Sequence, residues 1–396
     1  MNNYAYITLL SNDDYIPGVI LLKATLDAVG MKYPLIVLLP NRLSDVSMEL
    51  LKSIGVETRP IDKIYMPKQI YEHNKLINPR QAEIWKDTLS KFVAWTFEEY
   101  DKIILIDCDI LVLKNLDDLF EKPHLTAALD GEYFNLWPNF PHFNTGLVVI
   151  KPNKNDFKSF LKFAEDLDPS TVKDDNRQPY PIADQELLNL YYKDWVNKPE
   201  LHLSKYYNIF APHMFASHFD DVINNAYFVH FTGVKPWQIE QDTKRSPLLS
   251  AELSKYRDYK TYAYAAAIID TVIDSLNTGS EAKFGIDLPE TKLRMINLLL
   301  NRFQNIDAAI EVAETISEHV DMKILYDMKK AYDNKQKVLD LLASYYDNNA
   351  TSGIPSLRVY ALMANIEKRP ITEMYDMLLD VLKQAEDGAI KAIKMD

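Results

Sequence analysis

Up to about residue 247, short apolar runs alternate with longer amphipathic stretches. YAYITLL (Tyr4 to Leu10) is rich in β-formers, and Tyr15 to Val29 carries apolar residues at helical spacing. PLIVLLP (Pro34 to Pro40) is a continuous apolar run, and Ser44 to Ile54 is amphipathic with Ser44 placed to cap it. This βαβα opening predicts an α/β fold, a mostly parallel sheet with helices on both faces, in which ligands gather at the C-terminal ends of the strands. Lys102 to Ile106 is predicted as a central strand, which puts Asp107 and Asp109 at its exit.

Beyond Pro247 strand signals fade. Apolar residues recur at spacings of three and four from Leu293 through Leu382, which predicts an all-helical second part. Helix starts are expected near Pro289, Met322 and Pro355, an interval of about 33 residues that resembles helical solenoid repeats. An irregular helical bundle is the alternative. Asn277 to Gly285 is the expected loop before this region. The expected organisation is a catalytic domain over 1–247, a bridging segment over 248–284 and a helical domain over 285–396.

Composition narrows the function. The 396 residues are 47% hydrophobic and 26% charged, enough for a sizeable core. A formal net charge of −13 argues against nucleic-acid binding, which needs a concentrated basic surface. The single cysteine, Cys108, excludes an internal disulfide framework. The N-terminus MNNYAYITLL lacks the regions of a signal peptide, so a cytoplasmic location is expected. The longest apolar run, Tyr262 to Ile273, is broken by Asp270 and falls short of the roughly 20 residues a bilayer requires, so no transmembrane segment is predicted.

Four short strings can carry chemistry. In KIILIDCDILVL (Lys102 to Leu113), two carboxylates one residue apart interrupt an aliphatic run. A buried carboxylate is costly without a positive partner, and two hard oxygen donors at a strand exit suit Mg or Mn. A solvated strand end or a helix cap would also place aspartates there. VHFTGVKPW (Val229 to Trp237) ends an apolar run on His230 and adds Gly233 and Lys235; a histidine beside two aspartates makes a mixed N/O site, and a lysine can hold a diphosphate. A lone strand histidine is also common as a satisfied core residue. HFNTGLVVIKP (His142 to Pro152) opens a strand with Asn144, whose amide can bind sugar hydroxyls, or marks a simple turn. ADQELLNLYY (Ala183 to Tyr192) puts Asp184 and Gln185 in a first helical turn, where capping alone would explain an aspartate.

Together and in order, these strings resemble glycosyltransferase family 8, and within it the glycogenin-like proteins. The match spans roughly residues 4 to 237 and includes LLSNDDY (Leu9 to Tyr15), SKF around Lys91, IDCD, AALD ending in Asp130, FNTG, ADQE and HFTGVKPW. The resemblance implies a GT-A fold, a Rossmann-like mixed sheet flanked by helices, here followed by an all-α region. It implies a retaining glycosyltransferase that moves a hexose from a UDP-sugar with Mn(II), or Mg(II) in its place. UDP-glucose leads as donor, with UDP-galactose and UDP-GlcNAc next, and the acceptor is a glycan, a glycoprotein or a lipid-linked saccharide.

Carried over residue by residue, the resemblance makes Asp107, Asp109 and His230 the metal ligands. Leu9, Ser11, Asn12 and Tyr15 surround the uridine, with Tyr15 stacked on the base. Gly233 and Lys235 hold the diphosphate, and Lys91 reaches the diphosphate or the sugar. Asp130, Asn144, Asp184 and Gln185 bind the hexose, with Asp184 or Gln185 nearest the anomeric carbon and therefore the catalytic candidates. Cys108 belongs to the donor-binding turn as a small, inert spacer.

The chain also departs from the family. APHMFASH (Ala211 to His218) has no tyrosine where glycogenin carries its self-glucosylated one, and Phe215 falls nearest, so an external acceptor is expected. Pro181 replaces an acidic residue three positions before the Asp-Gln pair, and the glycine-lysine spacing in HFTGVKPW is one residue shorter than in many relatives. The helical region is expected to recognise the acceptor or a partner, or to form a homodimer. Two other readings compete: a sugar-phosphate nucleotidyltransferase, disfavoured because LLSNDDY has neither glycine nor lysine, and a nucleotide-sugar-binding scaffold.

Overall fold

The computed structural model describes residues 2–136, 141–173, 178–238, 258–303, 305–330 and 333. These fall into two compact units, the first within Met1–Lys235 and Val272–Ser280, the second within Pro236–Thr271 and Glu281–Asp396.

The first unit is built on a seven-stranded sheet. Its strands are β1 (Tyr4–Leu9), β2 (Leu35–Leu39), β3 (Glu57–Pro60), β4 (Lys102–Ile106), β6 (Ala127–Leu129), β7 (Phe143–Ile150) and β8 (His202–Leu203), in the order β3-β2-β1-β4-β7-β6-β8. The pairs β3-β2, β2-β1, β1-β4 and β6-β8 are parallel, whereas β7 runs antiparallel to both β4 and β6. The sheet is therefore mixed, and that reversal matters. With Ile106 opposite Leu147, the start of β7 lies beside the end of β4, so FNTG meets IDCD.

Strand periodicity explains why the sheet is buried on both faces. Ala5, Ile7, Ile103, Leu105, Val148 and Ile150 point into one core with Phe92, Trp95 and Phe160. Their neighbours Tyr4, Tyr6, Ile104, Ile106, Leu147 and Val149 point into the other, with Leu22, Leu26 and Phe120. A sheet covered on both sides needs continuous apolar runs, which is what PLIVLLP and KIILI supply.

The first two helices of this unit start where the sequence places them. Helix α1 (Ile16–Ala28) follows a turn capped by Asn12, and α2 (Asp45–Ser53) is capped by Ser44, whose hydroxyl accepts from Ser47 N at 3.2 Å. Helices α3 (Lys68–Ile77), α4 (Pro79–Trp85), α5 (Lys154–Asp166), α6 (Asp184–Tyr191) and α7 (Phe219–Asn225) complete it. A second, three-stranded sheet joins β5 (Ile110–Val112), β10 (Phe228–His230) and β9 (Ile209–Phe210), with β10 in the middle. The chain thus leaves the large sheet after β4 and enters the small one at β5, and Asp107-Cys108-Asp109 is the whole of the crossing.

The helix Tyr259–Thr278 opens on Asp258, whose Oδ1 accepts from Lys260 N at 3.0 Å and Thr261 N at 3.3 Å. It stops before Gly279, where φ is +69°, so the expected 277–285 loop begins two residues late. In the second unit Pro289–Asn301 and Ile306–Glu314 pack against each other, with Asn305 capping the latter through Ala308 N at 3.0 Å, and 322–330 is helical. Helix starts at Pro289 and at 322 agree with the apolar periodicity; the Pro247 boundary, the Pro355 start and the apolar positions beyond it lie outside the described residues. No helix among the described residues is long and apolar enough to cross a membrane.

Candidate functional site

Asp107, Asp109 and His230 converge at the sheet crossing. Asp107 leaves β4 with its N–H donating to Gly146 O at 2.8 Å, and Asp109 enters β5 with its carbonyl accepting from Phe231 N at 3.0 Å. His230 ends β10 directly opposite Ile110. One ligand atom from each of the three residues lies within 4.8 Å of the others. The Nε2 atom of His230 is 3.2 Å from Asp109 Oδ1 and 3.9 Å from Asp107 Oδ2. Two carboxylate oxygens and one imidazole nitrogen form a donor set that suits a borderline-hard divalent cation.

Tight packing fixes the imidazole. A Cβ on Gly146 would lie 2.5 Å from His230 Cε1, 2.6 Å from its Nδ1 and 2.7 Å from Asn144 Oδ1. Glycine at 146 is therefore a condition for the ring to stand where it does. The Nδ1 atom is 2.9 Å from the side-chain oxygen of buried Asn208.

Two buried lysines balance the carboxylates. Lys235 contacts the Asp109 carboxylate and the Phe231 carbonyl, and its ammonium sits 5.9 Å from the centroid of the Tyr15 ring. Lys91 lies 2.6 Å from Asp184 Oδ2, 3.3 Å from Asp107 Oδ1 and 3.2 Å from Thr145 Oγ1. Burial works against both ammonium groups, but Asp109 at Lys235, and Asp107 with Asp184 at Lys91, outweigh it and raise both pKa values. Burial would also raise the Asp109 carboxyl, yet Lys235 and His230 hold it well below the usual carboxylate range. Asp107 moves the other way: burial, with Asp109 and Asp184 nearby, outweighs Lys91 and His230. Burial and the flanking aspartates push the Cys108 thiol up, so it is inert as a nucleophile.

The network continues toward α6 and β7. Thr145 Oγ1 donates to Asp184 Oδ2 at 3.1 Å, and Gln185 Oε1 accepts from Asn144 Nδ2 at 2.8 Å and Thr145 N at 3.2 Å. Asn144 Nδ2 also donates to Asp130 Oδ1 at 2.8 Å, and His142 Nε2 is 3.0 Å from Asp130 Oδ2. Asp184 is the first residue of α6, but it faces Lys91 and Thr145, while the first turn is closed instead by Glu186 accepting from Ala183 N at 2.8 Å. Asn189 ties α6 to β7 by exchanging hydrogen bonds with the Phe143 main chain at 2.8 and 2.9 Å.

The structure thus links Lys235, Asp109, His230, Asp107, Lys91, Asp184, Gln185, Asn144 and Asp130 in one continuous polar network, with Tyr15 beside Lys235. Leu9, Ser11 and Asn12 lie at the adjoining end of β1 and have local partners: the Asn12 side chain accepts from Asp14 N at 3.0 Å, and the Ser11 carbonyl accepts from Asn41 Nδ2 at 2.6 Å. At Gly233 a Cβ would meet Pro212 at 3.3 Å, so the backbone runs close to its neighbour there. Thr145 and Asn208 were not singled out by the sequence reading. Thr145 stood inside FNTG, whereas nothing in SKYYNIF marks Asn208 as a partner of His230.

The mixed α/β sheet, with its carboxylate-histidine cluster at the strand ends and buried lysines beside it, is that of a glycosyltransferase. The model of the family described as "Glycosyl transferase family 8" matches residues 6–241, and the chain belongs to that family. It is 29% identical to glycogenin-1 of Oryctolagus cuniculus over 254 residues, covering 63% of this chain and 70% of that one. It is 28% identical to galactinol synthase 7 of Arabidopsis thaliana over 269 residues, covering 59% of this chain and 74% of that one. Among solved structures, galactosyltransferase LgtC in complex with donor and acceptor sugar analogs aligns at a TM-score of 0.38 with 16% identity, over 65% of this chain and 99% of that one.

Proposed function

We propose that the protein is a metal-dependent retaining glycosyltransferase that transfers a hexose from a UDP-sugar to an external acceptor. The observation that carries this reading is the Asp107-Asp109-His230 cluster, closed by Lys91 and Lys235, at the C-terminal end of a central strand. The donor set favours Mn(II), with Mg(II) as the substitute. When bound, the ion neutralises charge that builds on the departing diphosphate. Lys235, whose ammonium contacts Asp109 and the Phe231 carbonyl, keeps a third N–H for the same diphosphate, and Tyr15 supplies an aromatic face for the uracil. UDP-glucose leads as donor, ahead of UDP-galactose and UDP-GlcNAc.

The hydrogen-bond pattern favours same-face attack over a covalent intermediate. The Asp184 carboxylate is buried, and its Oδ2 is ion-paired with Lys91 and accepts from Thr145, which lowers its nucleophilicity. The Gln185 oxygen accepts two hydrogen bonds and is held as a fixed dipole. Both groups serve better as electrostatic stabilisers of an oxocarbenium-like centre than as attacking atoms. Asp130 and Asn144, fixed to one another, remain as hydroxyl-binding groups of the hexose pocket.

An external acceptor is favoured because Ala211–His218 carries no tyrosine, and Phe215, which is half exposed, has no nucleophile. The proposal assigns catalysis to 1–247, bridging to 248–284, and acceptor or partner recognition, or dimerisation, to 285–396; light scattering on the full chain separates a dimer from a monomer. The donor is tested by thermal denaturation with UDP-glucose, UDP-galactose and UDP-GlcNAc, each with and without Mn(II). The true donor raises the melting temperature in a Mn(II)-dependent way. No stabilisation by any UDP-sugar or by UDP overturns the reading.

A further inference from the structure

We propose that Asn208 is a positioning residue for the metal site, acting through His230, and this inference rests on the metal-dependent reading above. His230 can ligate a cation through Nε2 only if that nitrogen presents a lone pair, and which ring nitrogen carries the retained hydrogen is set by the partner of the other one. The partner here is the Asn208 side-chain oxygen, 2.9 Å from Nδ1. A carbonyl oxygen accepts and never donates, so it holds a hydrogen on Nδ1 and directs Nε2 toward Asp107 and Asp109.

Three further features point the same way. Asn208 is 4% exposed, and its Nδ2 has no hydrogen-bond partner among the described residues. The contact with Nδ1 is therefore where this buried amide is engaged. Its backbone φ is +59°, in the left-handed region that asparagine tolerates and branched residues do not, and this places the side chain just before β9, the strand that pairs with β10. Gly146 packs beside the same Nδ1–Cε1 part of the ring, where even a Cβ would clash at 2.5 to 2.6 Å. The Nδ1 part of His230 is thus held by the Asn208 hydrogen bond and by close packing against Gly146.

The backbone and the amide roles separate cleanly by substitution. Glycine adopts the left-handed conformation freely and has no acceptor; aspartate tolerates it and keeps one. Mn(II) affinity, measured by titration calorimetry on the full chain, is expected to weaken by about 10- to 100-fold in Asn208→Gly and to be retained within about threefold in Asn208→Asp. The unaltered, metal-free protein supplies a second readout: 15N spectra of the imidazoles should show a hydrogen on His230 Nδ1. Unchanged Mn(II) affinity in Asn208→Gly, or a bare Nδ1 on His230 accepting from an amide, overturns the proposal. If the unaltered protein binds no Mn(II), the metal reading fails by itself, and the Nδ1 measurement still decides the role of Asn208.

Discussion

The Lys91 ammonium stands between two carboxylates, 2.6 Å from Asp184 Oδ2 and 3.3 Å from Asp107 Oδ1, and so ties the first residue of α6 to the exit of β4. Removing this buried cation leaves the buried Asp184 carboxylate and the part-exposed Asp107 carboxylate without their shared positive partner. Lys91→Met is expected to cost about 3 kcal/mol of stability, since breaking a buried pair costs more than the pair contributes. Chemical denaturation checks this. Lys91→Arg should not restore full stability, because a planar guanidinium cannot occupy the tight space between Thr145, Asp107 and Asp184 as an ammonium does.

Gly146→Ala tests the steric wall behind His230. Its Cβ would fall within 2.7 Å of the imidazole and of Asn144 Oδ1, both buried side chains held by hydrogen bonds to Asn208 and to Gly146 N. The expected cost is about 1 to 3 kcal/mol from overpacking, together with weaker divalent-ion binding as the ring is displaced. Parent-like stability and ion affinity in the variant would mean the site yields where the packing indicates it cannot.

Tyr15→Ala should weaken UDP binding by about 1 to 3 kcal/mol if the ring stacks on the uracil, and Tyr15→Phe should restore it, because stacking needs the ring and not the hydroxyl. Calorimetric titration with UDP measures both. Equal losses in the two variants would assign the role to the hydroxyl instead.

Glu186 introduces a pH dependence. Burial pushes its carboxyl up to about 7 from an ordinary 4.5, although Ala183 N–H donates to it. Between those values the folded chain holds a proton that the unfolded chain has lost. This contribution is therefore fully present below about 4.5, declines as pH rises and is gone above about 7. Glu186→Gln removes it, so the variant should gain on the order of 2 kcal/mol over the parent between pH 5 and pH 8. A pH-independent difference in denaturation midpoint would contradict the assignment.

Local pattern carried much of the fold and of the site. The runs at Tyr4, Pro34 and Lys102 became adjacent strands because their apolar residues can be buried on both faces, and Ser44 capped its helix as its chemistry requires. The Asp107-Asp109-His230 convergence was legible because several motifs occurred in family order. What escaped was everything set by assembly. The three-residue β5 and β10 and the two-residue β9 are too short for a periodic signal, and they form a sheet only because β5 turns away from β4 at the two aspartates. Asn208 reaches His230 across 22 residues, and Thr145 reaches Asp184 across 39, through contacts that no spacing encodes. Lys91 and Lys235 also pair with carboxylates, partners that their place in the sequence does not reveal.

The most direct test of the account is UDP release from UDP-glucose, UDP-galactose and UDP-GlcNAc, followed with Mn(II), with a chelator, and in Asp109→Asn. The account predicts release from at least one donor that chelation abolishes and added Mn(II) restores, and that falls at least about 100-fold in Asp109→Asn, because one ligand and the counter-charge of Lys235 are lost together. Release that persists under chelation, or that survives in Asp109→Asn at the parent's rate, would contradict it.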